Sequence, residues 1–336
     1  MADYYVDPAA TGANDGSSWT DAWTDVQTAF NTVTAGNTCY CRGTQTLTAT
    51  IVANTNSGNT TSGAIRFVGC NAAGEVDGTL FTLDGNSAVT ICLQMTNVVN
   101  YCIIQNFEFK NAINDGFFQD SASSDYVYLY HCSFHSCGGY GAWPRRLRNS
   151  WFLFCKFFDN LHGVGSSVSA IDLLFCSVFD NTENGINQLV AKCIGCLIYN
   201  NGVKGIDQLS ASGLFLNNVI NNNGGGGVAR YNLGMHIFIG NRITNHTTSG
   251  AVGWDITDSM ILHGYNYFEN NHIGNISGTA LTEIYIDPNG ADGVDKNLYD
   301  QSNTNQGYMS LTAGSENFNL RDDATLRRVE ITLPGA

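Results

Sequence analysis

The sequence contains little proline and few charged side chains. Of its 336 residues only 4 are proline, and Asp, Glu, Lys and Arg together account for 13%. Proline lacks the backbone N–H that sheets use for pairing, so its scarcity permits long runs of uninterrupted strands. The 37 glycines, in contrast, supply residues for many tight turns. This composition predicts a chain rich in strands and corners.

The sequence also lacks a long apolar run and a recognisable leader. No stretch is long enough to span a bilayer, and Met1-Ala2-Asp3-Tyr4-Tyr5 has neither a basic segment nor an apolar one. We therefore predict no membrane association and maturation in a cytoplasm. The 11 cysteines agree, because an odd number is typical of free thiols in a reducing compartment. The formal net charge of −14 makes nucleic acid an unfavourable partner.

One short motif occurs eight times between Phe107 and Phe268, at spacings of 20 to 25 residues. In each copy two inward positions flank a residue that is mostly polar, the alternation of a strand with one buried face. The first inward positions are Phe107, Cys132, Cys155, Cys176, Cys196, Asn218, Asn241 and Asn266. The second inward positions, all apolar, are Phe109, Phe134, Phe157, Val178, Ile198, Ile220, Ile243 and Phe268. A repeat this short cannot bury its apolar face alone, so the motif predicts the stacked coils of a parallel β-helix.

The first inward positions predict a ladder of stacked side chains in the interior. Equivalent residues on neighbouring coils lie about 4.8 Å apart, the spacing of paired strands. The predicted stack consists of Cys132, Cys155, Cys176 and Cys196, continued by Asn218, Asn241 and Asn266. Thiols suit close packing, and asparagine amides can hydrogen-bond to one another along the stack. We interpret the ladder as structural.

The two ends of the chain depart from this period. Residues 1–45 are predicted to form an N-terminal cap with a strand, a loop and a short helix whose Trp23, Val26 and Phe30 cover the open end of the core. Residues 46–286 are predicted to form the β-helix coils. Residues 287–336 are predicted to form a C-terminal appendage with one short strand at residues 329–333.

The chain resembles right-handed parallel β-helix proteins of the pectin-lyase-like superfamily. The resemblance rests on the opening Tyr4-Tyr5-Val6-Asp7, the loop rich in Gly, Asn and Asp, the Trp-containing helix and the coils, over about residues 1 to 285. It implies an all-β, right-handed, single-stranded parallel β-helix with a short N-terminal capping helix. The superfamily includes polysaccharide lyases, glycoside hydrolases, bacterial adhesins, and bacteriophage tailspikes and other virion proteins, so the fold does not select a function.

Together with maturation in a cytoplasm, the resemblance favours a non-enzymatic structural protein of a bacteriophage virion, either a capsid decoration protein or a tail-associated one. Its predicted partners are two further copies in a homotrimer, or other virion proteins. One alternative is a tailspike-like protein that binds or cleaves a surface glycan, as a glycoside hydrolase or a polysaccharide lyase. Another is a secreted bacterial adhesin, which would be extracellular.

Asp159 and Asp180 are the candidate catalytic residues if the protein is an enzyme. They occupy equivalent positions on adjacent coils, which predicts carboxylates roughly 5 Å apart, the separation used in retaining glycoside hydrolysis. His162 could transfer a proton or bind a metal ion. Asparagine fills the same turn position on other coils, so a corner-forming role explains both aspartates without catalysis. No cofactor is expected, with calcium as the alternative.

An aromatic and basic segment is the candidate interaction surface. It contains Tyr140, Trp143, Arg145, Arg146, Arg148 and Trp151. We predict that this segment is a protruding loop. Aromatic and arginine side chains suit a protein interface or a sugar platform, and an incidental surface cluster is the third interpretation.

Overall fold

The computed structural model describes residues 2–53, 56–119, 123–208, 212–230, 235–248, 251–255, 260–264, 266–269, 271, 274–277, 282–285 and 298–299. Within them the chain forms one helix, α1 (Val26–Thr32), and strands numbered here from β1 to β33. Strands β1 to β11 are Asp3–Val6, Thr38–Arg42, Thr44–Thr46, Ile51–Ala53, Ile65–Cys70, Phe81–Asp84, Ile91–Met95, Cys102–Gln105, Phe107–Lys110, Asp115–Gln119 and Ser124–Asp125.

The remaining strands follow in chain order. Strands β12 to β22 are Val127–Tyr130, Ser133–His135, Tyr140–Pro144, Leu147–Arg148, Trp151–Leu153, Lys156–Phe158, His162–Leu174, Ser177–Phe179, Ile186–Ile194, Leu197–Tyr199 and Lys204–Gln208. Strands β23 to β33 are Gly213–Leu216, Val219–Asn221, Gly226–Arg230, Met235–Ile239, Arg242–Thr244, Val252–Asp255, Met260–Gly264, Tyr267–Glu269, Gly274–Ser277, Thr282–Tyr285 and Leu298–Tyr299.

All strands except β11 and β15, which pair with each other, stack as three parallel sheets. The first sheet contains β4, β7, β10, β14, β18, β20, β22, β25, β28 and β31. The second contains β1, β2, β5, β8, β12, β16, β23, β26, β29 and β32, and the C-terminal parts of β18 and β20 join it. The third contains β3, β6, β9, β13, β17, β19, β21, β24, β27, β30 and β33. The predicted all-β parallel β-helix is confirmed.

The third sheet carries the repeat in register. Phe109, Phe134, Phe157 and Val178 are successive pairing partners, and the series continues through Ile198 to Phe268. The rings of Phe109, Phe134 and Phe157 are fully buried and stack at centroid distances of 4.8 and 4.9 Å. Burying each such side chain stabilises the fold by about 1.5–3 kcal/mol relative to leaving it exposed.

The predicted cysteine and asparagine positions lie in one buried stack. Cys132, Cys155, Cys176, Cys196, Asn218, Asn241 and Asn266 are each at most 2% exposed. The amide of Asn218 donates to Asn241 Oδ1 at 2.9 Å, and that of Asn241 donates to Asn266 Oδ1 at 3.0 Å. The thiol of Cys176 contacts the carbonyl oxygen of Phe152 at 3.3 Å. Burial raises the pKa of the Cys155 and Cys176 thiols well above the usual range.

A second asparagine ladder, which the sequence analysis did not predict, runs at the end of the third sheet. Asn160 donates to Asn181 Oδ1 at 3.2 Å, and Asn181 and Asn201 each donate to the next asparagine at 2.9 Å, ending at Asn223. All four residues are 1% exposed. On the next coil His246 takes the ladder position, and its Nδ1 accepts from the backbone N–H of Asn223 at 3.0 Å.

His246 makes the ladder sensitive to pH. It is fully buried, and burial lowers its pKa to about 4, because the charged imidazolium is poorly solvated there. Its folded pKa therefore lies below the unfolded value of about 6.5, so stability should fall as the pH decreases from 6.5 to 4, by up to roughly 3 kcal/mol.

We expect His246→Asn to remove this dependence, because asparagine continues the ladder without a titrating group. Urea unfolding of the wild-type and variant proteins at pH 7, 5 and 4 measures the difference. Equal pH slopes in the two proteins would show that His246 does not titrate on folding.

Glycines form a third ladder, on the first sheet. Its members are Gly116, Gly141, Gly163, Gly185, Gly205, Gly227 and Gly253. A Cβ atom at Gly141 would lie 2.7 Å from the carbonyl oxygen of Gly163, and one at Gly205 would lie 2.8 Å from that of Gly227. Neighbouring coils thus approach too closely here for any side chain.

The N-terminal helix α1 packs on the coils. Asp25 is its N-cap, and its side chain accepts from the backbone N–H of Gln27. The ring of Phe30 stacks on Phe67 at 4.1 Å, and Trp23 stacks on Tyr4 at 5.2 Å. That this helix caps the core stays a prediction. Among the described residues no helix has the length and apolar character needed to cross a bilayer.

The predicted protruding loop is wrong, because residues 140–151 belong to the coils. Tyr140–Pro144 is strand β14, Leu147–Arg148 is β15, and Trp151 begins β16. The sequence repeat comprises strands of the third sheet only. It therefore gives no alignment of the strands of the first and second sheets. The predicted appendage, including its strand at residues 329–333, lies outside the described residues, apart from β33.

Candidate functional site on the first sheet

Two rows of side chains lie side by side on the first sheet. Row 1 contains Asp115, Tyr140, His162, Asn184 and Lys204, each directly before a glycine of the ladder. Row 2 contains Phe118, Trp143, Gly165, Asn187 and Asp207. The glycine ladder lies between the two rows and carries no side chains. Tyr140 contacts residues of both rows, which shows that the two rows share one face.

Tyr140 lies at the centre of these contacts. Its hydroxyl oxygen accepts from Asn187 Nδ2 at 2.7 Å, and its ring lies 4.5 Å from Trp143 and 4.8 Å from His162. The ring also lies over Gly165, where a Cβ atom would be 2.9 Å from it. Because the amide of Asn187 donates to the phenol oxygen, the phenolic O–H remains available to donate to a ligand.

An imidazole and two carboxylates lie on the adjacent coils. His162 Nε2 lies 3.5 Å from Glu183 Oε2, and His162 Nδ1 accepts from the backbone N–H of Asn184 at 3.4 Å. The amide of Asn184 donates to Asp207 Oδ2 at 3.2 Å. The Nδ1 contact assigns the ring proton to Nε2, which therefore faces Glu183.

Burial shifts the pKa values of these groups. It raises the pKa of Asp115 to about 6 and that of Tyr140 to about 12. It also raises the pKa of Asp207, against the opposing effects of Lys204 and Asn184, and lowers the pKa of His162. Clusters of perturbed acids and bases are a frequent property of catalytic sites.

Two buried polar atoms of row 2 have no hydrogen-bond partner among the described residues. They are Trp143 Nε1, a donor, and Asp207 Oδ1, an acceptor when ionised. Buried polar atoms are nearly always paired, because an unpaired one costs about 1–3 kcal/mol. Both atoms lie in the same row, three coils apart. A molecule that displaced the side chains covering them would have to be about 14 Å long to pair with both.

The candidate catalytic residues from the sequence fall in two places. His162 lies in row 1. Asp159 and Asp180 are exposed, and both have the left-handed backbone conformation, with φ of 53°, that Asn200 and Asn222 adopt on later coils. Their position suits a turn-forming role, and a catalytic role for these two aspartates stays a prediction.

The aromatic and basic residues 140–151 are divided between sheets. Tyr140 and Trp143 belong to the first sheet, and the Arg145 guanidinium lies 5.8 Å from the ring centre of Trp143. Trp151 belongs to the second sheet, where it contacts Tyr128 at 5.0 Å. The exposed side chain of Arg148 pairs with Asp125 at 2.8 Å, and Arg146 is exposed too.

A depression of about 410 Å³ lies beside Arg148 and is lined also by Asp172 and Lys192. The ammonium of Lys192 is 2.7 Å from Asp172, so these charges already neutralise each other. In the part of the chain that the structure describes, no group of three or more His, Cys, Asp or Glu side chains is arranged to hold a metal ion.

Row 1 and row 2 were missed because their members differ in chemical type from coil to coil. A usable signal was nevertheless present, since a row 1 residue precedes glycine in Asp115-Gly116, Tyr140-Gly141, His162-Gly163, Asn184-Gly185 and Lys204-Gly205. Only polar or aromatic residues occupy the first place of these pairs. Aligning the glycines would have placed Tyr140 beside His162.

Comparison with solved structures confirms the resemblance to right-handed parallel β-helix proteins. Pectate lyase Pel9A matches with a TM-score of 0.55 and 15% identity, over 84% of this chain and 78% of that chain. A rhamnogalacturonan lyase matches with 0.55 and 12%, over 89% and 90%. The periplasmic alginate epimerase AlgG matches with 0.51 and 12%, over 73% and 61%. No protein-family model and no curated protein matches the chain. At these identities the likeness shows the fold alone.

Proposed function

We propose that this protein binds a polysaccharide chain along row 2 and cleaves it by acid–base catalysis. The observation that carries the proposal is the pair of buried unpartnered atoms, Trp143 Nε1 and Asp207 Oδ1. A sugar chain presents hydroxyl groups that can both accept from the indole and donate to the carboxylate. Its apolar ring faces suit packing against Trp143, as in other aromatic binding sites.

The acid–base roles follow from the environments of the two carboxyl groups. Burial raises the pKa of Asp207, and this is the direction of shift that suits a general acid. Glu183, whose side chain is 50% exposed, faces solvent and His162, which suits the partner that activates water or attacks the sugar. Tyr140 in row 1 and Asn187 in row 2 are hydrogen-bonded to each other and would orient the sugar through hydrogen bonds.

The fold is compatible with this substrate class. Matching structures include ones named a pectate lyase, a rhamnogalacturonan lyase and an alginate epimerase, which act on polysaccharides. A glycan-cleaving role is thus compatible with the fold. In this role the sugar would lie on the outer face of the stacked coils. Calcium, if it contributes, would be detected as a requirement for binding or turnover.

The test uses a panel of neutral and acidic polysaccharides, with and without calcium. Binding is measured by affinity electrophoresis, and cleavage by new reducing ends and unsaturated products. Trp143→Phe removes the indole N–H and retains a ring, so we expect binding about 5 to 10 times weaker, the value of one hydrogen bond. We expect Asp207→Asn to retain binding and to lose cleavage by at least about 100-fold.

Trp151→Phe on the second sheet is the matched control, and we expect it to bind like the wild type. Equal weakening by Trp151→Phe and Trp143→Phe would contradict a site on row 2. Cleavage that survives Asp207→Asn but disappears in Asp159→Asn or Asp180→Asn would move the catalytic centre to the turn aspartates.

The second candidate function is a non-enzymatic structural protein of a virion, assembled as a homotrimer or with other virion proteins. One observation favours it: all 11 cysteines are free and buried, as suits a chain that folds in a reducing cytoplasm. The same polysaccharide panel separates the two functions. A protein that neither binds nor cleaves any of them, and is trimeric by light scattering, would favour the structural role. Interface roles for Arg145, Arg146 and Arg148 belong to this second candidate.

A further inference from the structure

A hydrogen-bonded chain of serine, histidine and glutamate lies on the third sheet, whereas rows 1 and 2 lie on the first sheet. Ser136 Oγ is 3.0 Å from His135 Nδ1, and His135 Nε2 is 3.1 Å from Glu108 Oε1. An ionised carboxylate only accepts, so Nε2 carries the ring proton and donates it to Glu108. The lone pair of Nδ1 is then directed at the Ser136 hydroxyl, which donates to it.

The surroundings hold this arrangement in place. Glu108 Oε2 accepts from Thr82 Oγ1 at 2.8 Å and lies 3.4 Å from Lys110 Nζ. The hydrogen bond from His135 is the main reason that the pKa of Glu108 falls to about 2, so the carboxylate is ionised at neutral pH. The imidazole stacks on the ring of Phe158 at 4.6 Å, with an interplanar angle of 12°. Ser136 itself is exposed.

The backbone of Ser136 is the second observation. Ser136 has φ of 56°, in the left-handed region that only glycine, asparagine and aspartate adopt readily. Asn111, Asp159, Asp180, Asn200, Asn222 and Asn245 have the same conformation at the equivalent turn position. Among these seven left-handed positions, only Ser136 is neither Asn nor Asp. The conformation itself belongs to coil corners, since Phe154 and Phe175 also adopt it, so this position is distinguished by a hydroxyl directed at a histidine.

We propose that Ser136 is the nucleophile of an acyl-transfer site that hydrolyses carboxylic esters, with His135 as general base and Glu108 as the group that orients it. The Ser136 oxygen attacks the ester carbonyl carbon while its proton moves to His135 Nδ1. The tetrahedral intermediate expels the alcohol, which takes the proton from His135 and leaves an acyl-serine. Water, deprotonated by His135, then attacks the acyl-serine and releases the carboxylic acid and the free Ser136 hydroxyl.

The site is open, so it imposes little restriction on the alcohol part of the ester. The proposal does not depend on glycan cleavage, because none of its three residues belongs to rows 1 and 2. Trp143→Phe and Asp207→Asn should therefore leave ester hydrolysis unchanged. This separates failure of one proposal from failure of the other.

The test combines two probes on the full chain. A fluorophosphonate should label the wild type, with the adduct on Ser136 in peptide mass spectra, and p-nitrophenyl acetate should be hydrolysed with a burst. Ser136→Asn places the residue preferred at this turn and should fold normally, with labelling lost and hydrolysis reduced by at least about 100-fold. His135→Gln should reduce both without removing the serine.

Ser177→Ala is the matched control, because Ser177 lies on the same sheet in β19 with no adjacent histidine, and it should behave like the wild type. Labelling or hydrolysis that is unchanged in a correctly folded Ser136→Asn protein would overturn the proposal.

Discussion

Replacing Cys176 with aspartate should lower the free energy of unfolding by about 4 kcal/mol at pH 7, enough to leave many domains unfolded. The Cys176 thiol contacts the carbonyl oxygens of Phe152 and Leu174 at 3.3 and 3.5 Å. A carboxylate in this place would face these two acceptors in an interior where burial outweighs the favourable hydrogen bond from Cys155, so it would remain a poorly compensated buried charge. Equilibrium urea unfolding, followed by circular dichroism, measures the loss.

The pH dependence of the same variant identifies the cause. Burial disfavours the charged form, so the folded pKa of the new carboxyl group lies above its unfolded value of about 3.9. The destabilisation should therefore be smallest below about pH 4 and increase as the pH rises. Cys176→Ser is the control, because a hydroxyl donates to the same carbonyl oxygens at a cost of about 1 kcal/mol. Equal losses in both variants at pH 7 would mean that Cys176 is not in a dry interior.

We expect Asn201→Ala to lower the free energy of unfolding by about 4 kcal/mol as well. Asn201 Nδ2 donates to Asn223 Oδ1 and to the carbonyl oxygen of Val178, and Asn201 Oδ1 accepts from the backbone and side chain of Asn181. Truncation breaks these bonds and leaves several buried groups unpaired, each at about 1–3 kcal/mol. Urea unfolding of the purified variant gives the value directly.

The neighbouring residue provides the control for this change. Asn200 is exposed and has φ of 56°, a conformation that glycine adopts without strain. Asn200→Gly removes a side chain of the same size one position earlier, and we expect it to cost less than about 1 kcal/mol. Similar losses for Asn200→Gly and Asn201→Ala would contradict a special contribution from the buried ladder.

The third sheet could be predicted from the sequence because its inward positions are of one kind. Phe109, Phe134, Phe157 and Val178 recur at nearly constant spacing, and burial of one face imposes this regularity. Asp180 was assigned to a turn position, but the residue after it differs from it. Asp180 is an exposed turn residue, whereas Asn181 is 1% exposed and belongs to a ladder. Side-chain direction at such a corner depends on backbone conformation, which the residue types do not encode.

The candidate site was accessible to sequence reasoning only in part. His162 was identified as a titratable residue near the coils, but its neighbours Glu183 and Asp207 were not, since residues 21 and 45 positions apart meet only through the register of the sheets. Residues 140–151 were assigned to a loop because their strands belong to the first and second sheets, whose periodicity had not been aligned. His246 is fully buried in a position that asparagine fills elsewhere, and no local pattern distinguishes it from a surface histidine.

The residue-by-residue register between coils has a consequence for how such a chain can change its length. Phe157, Val178 and Ile198 are successive partners, so each coil presents nearly the same surface to the coil before it and to the coil after it. A gene duplication or an unequal recombination that adds or removes one whole repeat unit therefore leaves two compatible faces in contact. Changes of one or two residues misalign every later ladder. Proteins of this kind are then expected to evolve in steps of a full coil, and the composition of row 1 and row 2 changes with each step while the interior is retained.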